Sequence, residues 1–590
     1  MTCSPWARFD DLKAGTAYCF PSAQEVLVAH RPDEVAAVLR AVDRVTEAGR
    51  WAYGFVAYEA AGAFDPSLVV HPPQPDNLPL AWFAVTDPPV DVAPLADAVD
   101  SADQPPVGAA DGEVDWVPGW TQEQHHRDVE RIRARIERGE TYQCNLTVRM
   151  RGRAPERPLE LYRQLALGQR GAYNAYLDLG RFAIASASPE LFFERVGDEL
   201  VLRPMKGTAA RGRTLAEDQA QADQLRSSAK ERAENVMIVD LIRNDAARVA
   251  EVGTVNVREL CAVERYETVL QLTSTVTAQL RPDVGLVELF GALFPSGSVT
   301  GAPKVSTMAL IRELEPTPRG VYCGAIGFVA PPDAAVRARF NVAIRTAVID
   351  RDTGGAQYGV GGGITWSSDP EAEHREVEVK TAVLRRRHRD FELIETLRFE
   401  PELGLRNLDR HLHRMAASAE YFGFRFDRPS VLGRIDLPWS RPESARVRFR
   451  LRRDGRFTTE VFPLDQTTDR VRLEVDDEPV DSTSRWLRHK TSQREPYDER
   501  RLRHPEADDV VLVNERGELT ETSRANLAVR LAGQWWTPPL QSGCLPGVER
   551  GRLLELGAIS ERVLTLVDLH RAEELAVLSS LRGWRSAVLA

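Results

Sequence analysis

Leu202-Arg203-Pro204-Met205-Lys206-Gly207-Thr208-Ala209-Ala210-Arg211-Gly212 is the stretch on which the reading of this chain turns. The short apolar run Leu200-Val201-Leu202, within Glu199 to Arg203, predicts a strand that stops at Pro204, and a lysine follows. Only six of the 76 basic residues are lysine: Lys13, Lys206, Lys230, Lys304, Lys380 and Lys490. A generic positive charge is written here as arginine. A lysine therefore marks a place for chemistry closed to a guanidinium, namely losing a proton and attacking carbon.

Downstream of this stretch, Ser228–Val249 has helical periodicity, with Glu231, Glu234 and Asn235 on one face. A solvated charged face is the plain reading of that pattern. Phe294–Lys304 is a Gly/Ser/Thr loop that enters a helix at Pro303, a geometry that can offer backbone N–H groups to an anion. Three strand-like runs follow. The last ends in Gly359-Val360-Gly361-Gly362-Gly363-Ile364, which fails as a dinucleotide fingerprint but permits close backbone approach to a ligand. A helix from Ser368 to near Arg389 carries Glu373, Glu376 and Lys380 on one face. Carboxylates on two helices, Glu234 with Glu373 or Glu376, suit a hard divalent cation.

Upstream, residues 1–85 read as a small α/β portion, with a helix over Val35–Ala48 and a strand over Gly54–Ala61. Thr86–Trp116 reads as a Pro/Asp/Ala-rich loop, and Thr121–Gly139 as a capped helix. A length of 590 residues calls for two to four domains. A net charge of −11 and a pI near 5.7 argue against nucleic-acid binding. No apolar run is long enough for a membrane span, no leader is read at Met1–Asp10, and six dispersed cysteines suit a reducing cytoplasm.

A new pattern begins without a linker at Phe391, so a boundary is placed at 389/390. In the second part, Lys490, the acidic Glu521 and a helix opening at Val548-Glu549 supply an amine, a carboxylate and an anion cradle, with Arg414 as a charge partner. Those are the needs of pyridoxal phosphate.

The motifs also carry two resemblances. Residues ~120–389 resemble the chorismate-utilising enzymes through Gly139–Thr147, Ser188–Phe192, Pro204–Thr208, Ala233–Asp245, Ser298–Lys304, Arg319–Gly324, Gly359–Ile364 and Glu373…Glu376…Lys380. Residues 390–590 resemble the class IV aminotransferases through Arg414, His489-Lys490-Thr491, Glu521–Asn526 and Leu545–Arg550. The predicted class is α/β (α+β), one fold after the other. Residues 1–118 are the N-terminal part, 119–389 the chorismate-binding catalytic domain, and 390–590 a pyridoxal-phosphate domain of two small α/β subdomains.

The first resemblance implies that Lys206, where anthranilate synthases have alanine, attacks C2 of chorismate. It implies Glu234 and Glu376 as Mg²⁺ ligands, with Glu373 auxiliary. Tyr322, Arg345 and the Gly361-Gly362-Gly363 backbone match carboxylate-binding positions, and Thr300 and Lys304 lie in the loop beside the site. Gln271 stands where anthranilate synthases carry histidine, which argues against pyruvate elimination there. The second resemblance implies that Lys490 holds pyridoxal phosphate, that Glu521 faces its ring nitrogen, and that Arg414, Val548, Glu549 and Ser580 surround its phosphate. Pyruvate would be eliminated at this second site. The pairing of families points to 4-aminobenzoate for folate.

No glutamine amidotransferase pattern is present, so ammonia is expected free or from a separate glutaminase subunit. The class IV fold implies a homodimer. The other readings are an anthranilate-like synthase joined to a true amino-acid aminotransferase, and a first half that binds a chorismate-like ligand only to regulate the second.

Overall fold

A computed structural model describes residues 4–74, 76–95, 114–385, 390–435, 443–464 and 470–590. The predicted loop over Thr86–Trp116 and the basic cluster Arg385–Arg389 lie partly outside the described residues. The chain divides into two units. One comprises Met1–Ala210 and Ala222–Arg389, and the other comprises Arg211–Gln221 and Asp390–Ala590.

Among the described residues the first unit contains two ten-stranded sheets. Strand alternation builds its layers. In Phe182–Ser188, Ile184 joins a core shared by both sheets, while Ala183, Ala185 and Ala187 join Leu161, Leu165 and Val377 on the other side. In Trp51–Val56, Tyr53 and Phe55 enter the shared core, while Ala52 and Val56 pack with Leu39, Ile242 and Leu289. Side chains two apart share a face, so each strand feeds an inter-sheet core and a helix-covered face. The expected Gly54–Ala61 strand ends at Val56; a 3₁₀ turn and a short helix follow, because the fully buried small residues Ala60 and Ala61 fit under the Pro32–Glu47 helix.

Two strand pairs position the cavity. Gln143–Arg153 runs antiparallel to Gly355–Ile364, from Gly355↔Arg153 to Ile364↔Cys144. Pro204 interrupts one strand, and a second, Met205–Ala210, starts at once and pairs with Val269–Gln279 through a register shift between Met205 and Thr208. That irregularity turns out Lys206.

The second unit has a four-stranded antiparallel sheet beside the Leu408–Phe422 helix and an eight-stranded mixed sheet. Among the described residues no helix is long and apolar enough to cross a membrane.

Candidate active sites

In the first unit, Lys206 stands on the irregular strand with its backbone fixed. Gly207 has φ +98°, a conformation that side chains rarely adopt, and a Cβ there would meet Glu231 and Leu272. The buried Asn235 donates to the Lys206 carbonyl at 3.1 Å and accepts from the Ser274 hydroxyl at 2.6 Å. The helix Ala229–Ala247, capped by Ser228, brings Glu231 and Glu234 to the same place; Lys206 Nζ is 3.8 Å from Glu234 Oε2. The helix Pro370–Arg385 brings Glu373, Glu376 and Lys380. Lys380 pairs with Glu376 at 2.6 Å and donates to the Gly361 carbonyl at 2.8 Å.

These groups line a cavity of about 200 Å³ together with Tyr322, Arg345, Gln271 and Glu190. The glycine strand makes room for them. A Cβ on Gly363 would lie 2.3 Å from Lys206 Nζ, and one on Gly362 would lie 3.4 Å from Glu373 Oε2. Gly359 lies flat under the Tyr322 ring. Arg345, which also lines the cavity, holds φ +52°, a costly backbone for a residue other than glycine, and donates to the Lys380 carbonyl at 3.2 Å.

Two groups here were not singled out from sequence. Glu190 is buried, accepts from the Ser298 hydroxyl at 2.6 Å, and is pushed up to about 7 by burial against the opposing pull of Ser298 and Lys206. Gln143 is fully buried, its carboxamide has no hydrogen-bond partner among the described residues, and it adjoins the same point beside Gly363 as the Lys206 amine. Glu190 sits in a Ser-Pro-Glu turn and reads as a turn residue until its burial is seen.

Among the described residues no three metal-ligating side chains converge ready to hold an ion. Glu234 faces Lys206 and Glu376 faces Lys380. The donor set still suits a hard cation: burial, and after it Glu234, raises Glu231, while burial raises Glu373 and the neighbouring Glu376 adds to it.

In the second unit, Lys490 is lowered to about 8 by burial, then by Arg414 and Arg494, with Glu395 and Glu521 opposing. Glu521 is buried and pushed up to about 7 by that burial. It accepts from Tyr497 (2.9 Å), the Leu545 N–H (3.1 Å) and Asn526 (3.2 Å), and makes no ion pair among the described residues. A buried carboxyl with only neutral donors is completed by a protonated ring nitrogen, so it fits pyridoxal phosphate. The helix Val548–Glu555 opens at Gly547, which has no side chain to cap it, leaving its first N–H groups for an anion.

The Leu408–Phe422 helix turns His411, Arg414, Ser418 and Tyr421 to one side. Arg414 grips Glu395 with two N–H groups, at 2.8 and 2.6 Å, and donates a third to the Pro546 carbonyl. Burial alone would raise Glu395, but Arg414 and His411 hold it at about 2. His411 bridges Glu395 and the Ser580 hydroxyl, at 2.6 and 2.8 Å.

Comparison with known proteins agrees with the two-part reading. The model for chorismate binding enzymes matches residues 8–386. The chain belongs to that family. The class IV amino-transferase model matches residues 392–589. Aminodeoxychorismate synthase component 1 of Bacillus subtilis (strain 168) is 39% identical over 268 residues, 45% of this chain and 56% of that protein. Anthranilate synthase component 1 of Neisseria gonorrhoeae is 40% identical over 261 residues, 44% of this chain and 52% of that one. The chain thus spans about half the length of the curated relatives it matches. The structure of anthranilate synthase component I from Streptococcus pneumoniae TIGR4 aligns with a TM-score of 0.51 at 26% identity, covering 65% of this chain and 91% of that one.

In this chorismate-binding enzyme, Lys206, Glu234, Glu373, Glu376, Tyr322, Arg345 and Gly361–Gly363 all line the one cavity, as does Gln271, which accepts from the Thr208 hydroxyl at 3.0 Å. Thr300 and Lys304, expected to bind substrate, do not line it. The Thr300 hydroxyl is turned to the Ser296 carbonyl at 3.0 Å, and Lys304 is engaged by Asp245 at 2.9 Å, so both hold the loop. Arg414 is largely committed to Glu395, and the Glu549 side chain to Arg552, which leaves the Glu549 backbone N–H for an anion.

Proposed function

We propose that this chain makes 4-aminobenzoate in two steps: amination of chorismate at C4, then elimination of pyruvate. The observation that carries the reading is the Lys206 amine in one cavity with Glu190, a carboxyl that keeps its proton to about pH 7. Lys206 attacks C2 of the ring while the C4 hydroxyl departs as water, taking its proton from Glu190. Ammonia adds at C4, the Lys206 bond breaks, and 4-amino-4-deoxychorismate is released. Arg345 and Tyr322 bind substrate carboxylate. Glu234 and Glu376, with Glu373, would hold Mg²⁺, which supplies charge neutralisation at a ring carboxylate. Ammonia comes from a separate glutaminase subunit.

In the second unit, Lys490 would hold pyridoxal phosphate, with Glu521 at its ring nitrogen and the Val548 and Glu549 N–H groups at its phosphate. The bound cofactor supplies an electron sink for breaking the bond to pyruvate. Near pH 8 the Lys490 amine can both give and take a proton at the substrate carbon. Relatives named as anthranilate synthases match about as much of this chain at similar identity. Gln271 in the cavity cannot shuttle the proton an elimination there requires, which favours amination alone.

The test is purified protein with chorismate, Mg²⁺ and ammonium, read by 4-aminobenzoate fluorescence. Lys206→Ala should abolish chorismate use, and Lys490→Ala should accumulate 4-amino-4-deoxychorismate. Normal 4-aminobenzoate formation by Lys490→Ala would overturn the second step. Turnover dependent on a 2-oxoacid would replace it with transamination.

A further inference from the structure

Residues 211–221 lie between the Lys206 strand and the Ala229–Ala247 helix in sequence, yet they pack with the second unit. Their fold is tight. The buried Asp218 accepts from Arg211 at 2.6 Å and from the Gly212 N–H at 3.1 Å, and a Cβ on Gly212 would lie 2.1 Å from the Asp218 backbone nitrogen. The loop then meets the far end of the Leu408–Phe422 helix. Tyr421 donates to the Gly212 carbonyl at 2.7 Å, and the Arg211 guanidinium lies 4.5 Å over the Tyr421 ring and donates to the Tyr421 carbonyl.

The contact of consequence is with His489, the neighbour of Lys490. Its Nε2 is 3.1 Å from the Arg213 carbonyl, which can only accept, so Nε2 carries the proton. Nδ1 then accepts from the Ser418 hydroxyl at 2.9 Å. Burial pushes His489 down to about 4, which keeps it in this neutral form. The ring also stacks on Tyr421 at 4.5 Å. Every polar atom of the imidazole is thus fixed, one of them by the inserted loop. The Lys490 carbonyl, one peptide further, is held by the Ile394 N–H at 2.9 Å.

We propose that residues 211–221, though they come from the middle of the chorismate-binding half, are a working part of the pyridoxal-phosphate site: the Arg213 carbonyl and Tyr421 fix His489, and His489 sets the place of Lys490. His489, Tyr421 and Arg211 are positioning residues, since none touches the reacting atoms. The inference rests on the second site binding pyridoxal phosphate. It goes beyond that reading because the class IV match starts only at residue 392.

The experiment uses full-length protein with pyridoxal 5′-phosphate, reading its dissociation constant and the pH midpoint of its visible absorbance. Arg211→Ala and His489→Leu should each weaken binding about fivefold or more, the effect of one lost buried hydrogen bond, and shift the midpoint. His489→Gln, which keeps an N–H for the Arg213 carbonyl, should stay near wild type. Wild-type affinity and midpoint in both Arg211→Ala and Tyr421→Phe would overturn the proposal, even if His489→Leu is impaired. Should Arg211→Ala fail to fold, Tyr421→Phe, which keeps the ring and loses only its hydroxyl, decides alone. Wild-type protein that binds no pyridoxal phosphate would overturn the proposed function of the unit, and this inference with it.

Discussion

Burial has shifted the Glu190 carboxyl far enough to suit it to the proton-donor role proposed for it. The group stays protonated to about pH 7, so the amination rate should fall above that pH as the proton donor is lost. Glu190→Gln should be slower by about a hundredfold or more and should lose that alkaline limb; an unchanged pH profile of chorismate consumption would remove Glu190 from the reaction. Stability carries the same sign. The folded protein binds this proton more tightly than the unfolded chain, so it loses stability as pH rises from the usual 4.5 towards 7, and Glu190→Gln should flatten that slope in denaturant unfolding. Gly363→Ala places a methyl group 2.3 Å from the Lys206 amine. It should slow chorismate consumption at least tenfold, while a flexible side-chain tip moves aside and thermal unfolding is little changed. Lys206 was legible in the sequence because lysine is rare, while helical spacing left Glu373 and Glu376 as equal partners for Glu234 and only the resemblance chose Glu376. Glu190 was not legible, since its partner Ser298 stands 108 residues away and only the fold brings them together.

At the scale of elements, regular periodicity was readable and interruptions were not. The Thr121 cap sits where the sequence places it, accepting from the Gln124 N–H three residues on, while the Ser228 cap on the Glu231 N–H is seen only in the structure. The restart of a strand at Met205 after Pro204 could not be read, because it depends on pairing with Val269–Gln279. The side of the Leu408–Phe422 helix bearing His411, Arg414, Ser418 and Tyr421 was within reach of helical spacing, but its meaning needed the partners of each residue. Gly212 belongs at this scale too. Gly212→Ala forces the turn against its own backbone and should cost about 1–3 kcal/mol in unfolding free energy, measured by denaturant titration. A stability within experimental error of wild type would show that the turn relaxes freely.

For the whole molecule, the two proposed chemistries, one in each unit, predict complementation. A mixture of Lys206→Ala and Lys490→Ala proteins should form 4-aminobenzoate after a lag, because each retains the site the other lacks. A mixture that stays silent would mean that the intermediate never leaves the chain that made it. Glutamine should support turnover only when a glutaminase is added; glutamine-dependent activity of the pure chain would refute a separate ammonia source. The boundary at 389/390 follows from a change of pattern in the sequence, but no pattern announces that residues 211–221 change allegiance, since a short polar turn and helix look alike wherever they dock. That detour bears on inheritance. If two ancestral genes were joined end to end, the seam is no longer a clean cut. A recombination event that swaps everything after residue 389 for a homologous tail would transplant a domain without its borrowed loop. Lineages carrying this loop should therefore exchange the two halves less freely than lineages that encode them as separate proteins.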